Sequence, residues 1–367
     1  MTKNFLERQV ACHCDSPSKA HSGFYGIGHY DKNTSAMCLS KPTPRTKEST
    51  TSGPCYTSDK LNDSTHLITH HDKYFEFPFI YIKLYPALSL AVVIDTGCGA
   101  HNGKSGASSQ ELKDCIQSDI LSAEQKDFSF TIICTHCHFD HIGGIGAFSK
   151  SGAGIVASGY DRDFLRPDLR EHNSLCGAFG TETPDYEITH YTTDGEELQH
   201  HGHPLGLRIL HTPGHTPDSI AIFDEAERWL YVGDTCYKRL AASDADDDQG
   251  VPIILPLQGS WRDFIATLHK LQKFVTEAEE PVAGGGTPKA IRLAAGHTTS
   301  QSPARDFFSR VVAFCQDVVG GRVPFVSIPG NAVAPGGSLG NVVFRHWQAE
   351  GRPEFALMAP ESFVDDF

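Results

Sequence analysis

The stretch Thr135-His136-Cys137-His138-Phe139-Asp140-His141 follows directly on an apolar run, Phe128-Ser-Phe-Thr-Ile-Ile-Cys134. The run reads as a buried strand. A chain leaving a strand is still extended, and residues two apart then point the same way. His136 and His138 therefore converge, while Cys137 and Phe139 point into packing. Asp140 and His141 follow where the chain turns, and Gly143-Gly144 permits the tight start of a helix. Four ligand-type side chains are thus presented to one volume. Imidazole nitrogen and carboxylate oxygen suit a divalent metal such as zinc.

Further along, three more candidate ligands each lie beside a predicted strand. His215 follows Leu207-Arg-Ile-Leu210 in the turn Leu210-His-Thr-Pro-Gly-His215. Asp234 follows Trp229-Leu-Tyr-Val232, and His297 follows Ile291-Arg-Leu-Ala294. Upstream, Phe77–Tyr85 and Leu90–Ile94 read as two strands joined by a Pro-Ala turn, the second ending at Asp95-Thr-Gly97. Residues 109–121 read as a helix. So does Trp261–Val275, where Trp261, Phe264, Ile265, Leu268, Leu271 and Val275 share one face, and so does Arg305–Val319. Residues 160–185 read as a long loop or lid. Strands and helices alternate, which argues an α/β layered fold.

In this order the motifs resemble the signature of the metallo-β-lactamase superfamily. Thr135–His141 is similar to its first motif, Leu210–His215 to the second, Tyr231-Val-Gly-Asp234 to the third and Ala295-Gly-His297 to the last. Ile94-Asp95-Thr-Gly97 resembles the upstream turn whose aspartate supports a ligand. The resemblance covers about residues 75–300 and implies an αββα four-layer sandwich. It also implies two zinc ions, one held by His136, His138 and His215 and the other by Asp140, His141 and His297, with Asp234 bridging. A hydroxide shared between them would attack a carbonyl carbon. Asp140 would orient the nucleophile or pass a proton to the leaving group. Tyr237, three beyond Asp234, resembles the tyrosine of lactonase and thioesterase branches that donates to the developing oxyanion. Aspartate at the bridging position departs from true β-lactamases, so penicillin-type hydrolysis is not the expected native activity.

The expected activity is opening of a small lactone or lactam ring, with detoxification as its setting. An apolar pocket for the ring is expected from the Phe164–Phe179 loop and the aromatic tail. Thioester hydrolysis of acyl-CoA or a glutathione adduct is the alternative, with Arg162, Arg166, Arg170 and Lys238-Arg239 as the few cations able to grip CoA phosphates. A mononuclear iron dioxygenase is the alternative from another class.

Composition sets the remaining bounds. A net charge of −14 from 31 basic and 45 acidic residues, without a Lys/Arg cluster, argues against a nucleic-acid partner. No apolar run approaches the ~18–20 residues of a membrane span, and Met1–Asp15 lacks the apolar core of a secretory signal. A cytoplasmic protein with reduced thiols is expected from its 11 cysteines. A redox role for the Cys134–Cys137 pair is less favoured than packing. A small molecule is the expected partner, and the oligomeric state is left open. Residues 1–70 read as a partly irregular N-terminal arm, 71–320 as the catalytic domain and 321–367 as a C-terminal extension packed on it. The acidic run 241–250 and the histidines 200, 201 and 203 read as solvated turns. His211 reads as a packing or supporting residue, and His172 as a substrate-contact candidate.

Overall fold

The computed structural model describes residues 29–31, 36–38, 55–74, 76–99, 112–239, 251–281, 288–333, 339–349 and 354–366. The acidic run 241–250 and the glycines 284–286 lie outside them, as do the first residues of the predicted 109–121 helix.

Two sheets face each other. The first has seven strands in the order Tyr56–Lys60, Thr65–His70, Phe79–Tyr85, Leu90–Ile94, Ser129–Ile133, Gly154–Ser158, His190–Thr192. Its first three pairings are antiparallel and its last three parallel. The second has six strands in the order Glu197–His200, His203–His211, Ile220–Asp224, Trp229–Tyr231, Arg292–Ala294, Ser302–Pro303.

Period-two alternation along these strands makes the layers. Tyr81, Val92, Ile94 and Ile133 of the first sheet meet Leu207, Ile209, Ile222 and Tyr231 of the second in one buried cluster. Their neighbours Ile80, Ile82, Val93 and Ile132 point the other way, onto Leu112, Ile116, Ile145 and Phe148 of helical segments. On the far side, Leu210, Ala221, Phe223, Leu230 and Leu293 meet Phe264, Leu268, Leu271, Phe307, Phe308 and Val311. These come from the helices Trp261–Ala278 and Ala304–Val319. Both faces of each sheet are therefore covered, giving the four-layer αββα sandwich. Lys83 and Asp224 form a buried ion pair between the sheets.

Three segments differ from the sequence expectation. The hairpin Tyr56–Lys60/Thr65–His70, placed in the N-terminal arm, belongs to the first sheet, where Thr65–Thr69 pairs with Phe79–Lys83. The loop 160–185 contains two short helices, Pro167–Asn173 and Cys176–Phe179, the first begun by a proline whose missing N–H costs nothing there. The tail forms a four-stranded sheet in the order Ile253–Ile254, Ala356–Pro360, Leu339–Gln348, Phe325–Val333, and Trp347, Phe355 and Leu357 join the core around the two long helices. No helix among the described residues is long and apolar enough to cross a membrane.

Candidate metal centre

The site lies where the strands end. His136 and His138 follow Ser129–Ile133, and Asp140 and His141 occupy the one-turn helix Phe139–Ile142. Cys137 packs away from them with Ala157 and Leu165. Gly143 and Gly144 have ordinary right-handed torsions. Their need is space: a Cβ on Gly143 would strike the Cys98 backbone, and one on Gly144 the Thr96 carbonyl. The glycines thus serve close approach of the Asp95 turn rather than the torsional freedom expected of them.

His215 sits in the turn after His203–His211, Asp234 in the turn after Trp229–Tyr231, and His297 in the turn after Arg292–Ala294. The structure brings all seven predicted residues together. They fall into two groups, His136/His138/His215 and Asp140/His141/Asp234/His297, and the ligand atoms of each group lie within 4.8 Å of one another. All seven are buried.

Within the first group His138 Nδ1 lies 3.1 Å from His136 Nε2 and 2.9 Å from His215 Nε2. In the second, Asp140 Oδ2 is 3.4 Å from His141 Nε2 and 3.2 Å from His297 Nε2. Asp234 faces both groups. Its Oδ1 lies 3.3 Å from His141 Nε2, and its Oδ2 lies 3.4 Å from His297 Nε2 and 3.9 Å from His215 Nε2. Gly296 makes this approach possible, since a Cβ there would strike Asp234 Oδ1 and His141 Cε1.

Four of the imidazoles are oriented by their other nitrogen, the arrangement that fixes a tautomer for ligation. His136 Nδ1 meets Thr135 Oγ1 at 3.1 Å, His141 Nδ1 meets Asp95 Oδ2 at 2.8 Å, His215 Nδ1 meets the Ile254 carbonyl at 2.9 Å, and His297 Nδ1 meets the Glu76 carbonyl at 2.8 Å. Each then aims Nε2 inward. Asp95 also accepts the Thr135 N–H and hydroxyl, both at 2.8 Å. It holds this position at φ 62, a conformation uncommon outside glycine.

The electrostatics split between the groups. Burial and the neighbouring imidazoles push His136 well below its usual range and His138 down to about 3. Burial also disfavours charge on His141 and His297, yet Asp234 and Asp140 raise both, His297 to about 10. Burial would push the two carboxyls up, but His141 and His297 hold Asp140 and Asp234 well below the usual carboxylate range. His141 Nε2 and Asp234 Oδ1 are buried without a hydrogen bond. Unsatisfied nitrogen and oxygen lone pairs aimed into one buried volume are costly unless something electrophilic meets them. The donor set therefore fits two divalent cations.

The other expected residues take quieter places. Tyr237 is buried with its ring centroid 5.9 Å from that of His297, and its hydroxyl donates to the Pro252 carbonyl at 2.9 Å. His211 Nε2 meets the Pro217 carbonyl at 3.0 Å, and its ring stacks on Tyr160. His172 is half-buried in the helix Pro167–Asn173, and His201 and His203 are exposed on a hairpin. Phe179 stacks on Phe139 with centroids 4.1 Å apart, and Phe164 borders the Cys137 cluster. Arg170 is buried against Tyr186, with its guanidinium 3.9 Å from the ring centroid. Burial pushes the Cys134 and Cys137 thiols up, so neither is a ready thiolate.

The model of the metallo-beta-lactamase superfamily matches residues 90–278. The chain belongs to that superfamily, whose members are mostly metal-dependent hydrolases. It is 28% identical over 322 residues to an Aspergillus versicolor protein named putative transcription factor avaE, covering 85% of this chain and 88% of that protein. Over 108 residues it is 31% identical to a hydroxyacylglutathione hydrolase of Idiomarina loihiensis, covering 29% of this chain and 32% of that one. A solved metallo-beta-lactamase family protein of Thermus thermophilus is 20% identical, covers 71% of this chain and 82% of its own, and has a TM-score of 0.49.

Proposed function

We propose that the chain is a zinc-dependent hydrolase that opens the ring of a small-molecule lactone or lactam. Asp234 carries this reading: one carboxylate faces His215 and His297 at once and gives the two ligand groups a common member. Cations held by the two groups would lower the pKa of water and polarise a carbonyl oxygen. The chain's own residues do the rest. Asp95, Thr135, Ile254 and Glu76 hold the imidazoles in place. The oxygen of water bonds to the carbonyl carbon as the ring C–O or C–N bond breaks, and Asp140 carries the proton released by water to the leaving atom. The Tyr237 hydroxyl exchanges the Pro252 carbonyl for the substrate oxygen as charge develops there.

The experiment is a panel of lactones, lactams and thioesters assayed on the zinc-loaded protein, with metal content measured in parallel. Lactone or lactam turnover with two zinc per chain supports the reading. Turnover confined to thioesters replaces it with the second reading, which the local likeness to a hydroxyacylglutathione hydrolase favours. One iron per chain with oxygen-dependent turnover replaces hydrolysis by oxidation.

The same proposal has a small molecule as partner, no nucleic acid, no membrane, and action in the cytoplasm. The Aspergillus versicolor relative is named a putative transcription factor. For this acidic chain we expect no shift of duplex DNA or tRNA in a gel mobility assay.

A further inference from the structure

We infer that Asp72 is a positioning residue for His297, acting through the main chain at Tyr74, Glu76 and Phe77. Asp72 and Glu76 are both buried beside the metal centre. Asp72 Oδ1 accepts the Tyr74 N–H at 2.7 Å and the Glu76 N–H at 3.4 Å, and Oδ2 accepts the Phe77 N–H at 2.8 Å. One carboxylate thus gathers three amides into a tight turn. At its end Phe77 takes φ 49, a torsion that costs a bulky residue free energy unless its surroundings enforce it. The turn delivers the Glu76 carbonyl, which accepts His297 Nδ1–H at 2.8 Å. Two residues beyond Phe77, the Phe79 N–H donates to the Gly296 carbonyl at 2.7 Å, so the same segment grips the residue before His297 as well.

Asp72 also meets the other support of its ligand group. Burial and then the charge of the neighbouring Asp72 carboxylate push the Cys98 thiol up, and Cys98 lies in the Asp95 turn that orients His141. The Cys98 N–H is held by His70 Nδ1 at 3.2 Å. The Asp72 turn thus sets His297 while the adjoining Asp95 turn sets His141. The His136/His138/His215 group takes its direct orientation from Thr135, which Asp95 holds, and from Ile254, with no contact to the Asp72 turn among the described hydrogen bonds.

The inference rests on the two groups holding two cations. Its test is the affinity of each metal equivalent, read by chelator competition and by the visible spectrum of the cobalt(II)-loaded protein. His297→Ala and His215→Ala mark the spectral signatures of damage to each group. Asp72→Ala is expected to weaken the His297-group equivalent about 10–100-fold, the range for loss of an outer partner, and to leave the other within about threefold. Asp72→Asn keeps the shape of the side chain but turns one acceptor into a donor facing an amide, so it shows the same selectivity in smaller degree and carries the test if the alanine variant does not fold. In a His297→Ala background, Asp72→Ala is expected to add nothing further. Equal weakening of both equivalents, no weakening, or full additivity in the double variant overturns the inference. A wild-type chain that binds fewer than two equivalents overturns the dinuclear reading as well.

Discussion

His136 and His215 stand on uncharged acceptors, a threonine hydroxyl and a peptide carbonyl, whereas His141 stands on the Asp95 carboxylate and His297 on a carbonyl fixed by the Asp72 carboxylate. The first group is three neutral imidazoles. The second adds Asp140 and shares Asp234. With Asp234 shared, a cation beside that one carboxylate would keep more of its charge for polarising a bound oxygen than one beside two, which would be held harder. The two halves of one centre thus differ in the charge of their direct supports, while Asp95 reaches both, through His141 and through the Thr135 hydroxyl.

The strongest challenge to this division is Asp234→Ala. Losing the common member is expected to cost both equivalents and to reduce turnover by more than the roughly 100-fold ceiling for an outer partner. Metal analysis that finds the His136/His138/His215 equivalent intact would make Asp234 a member of one group only. Tyr237→Phe comes next. If its hydroxyl serves the substrate, kcat falls by about 10²–10³ with metal content unchanged; a fall in stability alone would leave the hydroxyl to Pro252.

Asp95→Asn sharpens the comparison further. It removes the anionic acceptor behind His141 and is expected to weaken the second equivalent about 10–100-fold, with less effect on the first. Titration across a zinc-buffer series separates the two. The smallest effect concerns Asp218, a buried carboxyl behind the first group, which burial pushes up from 3.8 to about 7. Its folded state binds the proton more tightly than its unfolded state. Its contribution to stability is therefore fully present below about pH 4 and is lost as pH rises to 7. Asp218→Asn should flatten that slope, raising Tm relative to wild type by about a few degrees at pH 8 and by nothing at pH 4. Thermal melts at the two pH values check it.

The ligand residues were legible because their chemistry is carried by side chains in short local patterns. A strand followed by H-x-H-x-D-H fixes direction and spacing without reference to the rest of the fold. Asp95 could be read for the same reason, since it ends a visible strand. Asp72 could not: it acts on peptide N–H groups, and Glu76 contributes a carbonyl that every residue possesses. The hairpin Tyr56–His70 was hidden by polar strands, with four of the five residues Tyr56–Lys60 exposed. The helices Pro167–Asn173 and Cys176–Phe179 are too short to show a hydrophobic period. Phe164 and Phe179, expected to wall a substrate pocket, are partly buried against the Cys137 and Phe139 clusters, a packing role that apolar character alone does not reveal.

The strand Ile253–Ile254 pairs with Ala356–Pro360 along one edge, and its Ile254 carbonyl orients His215. During synthesis, His136, His138 and His215 leave the ribosome well before Leu357 and Met358 exist. The strand that supports the first ligand group therefore finds its pairing partner only in a segment made after all seven ligands. A nonsense mutation upstream of Ala356 would remove the partner of that strand together with the Leu357 and Ala359 side chains that fill the core around the two long helices.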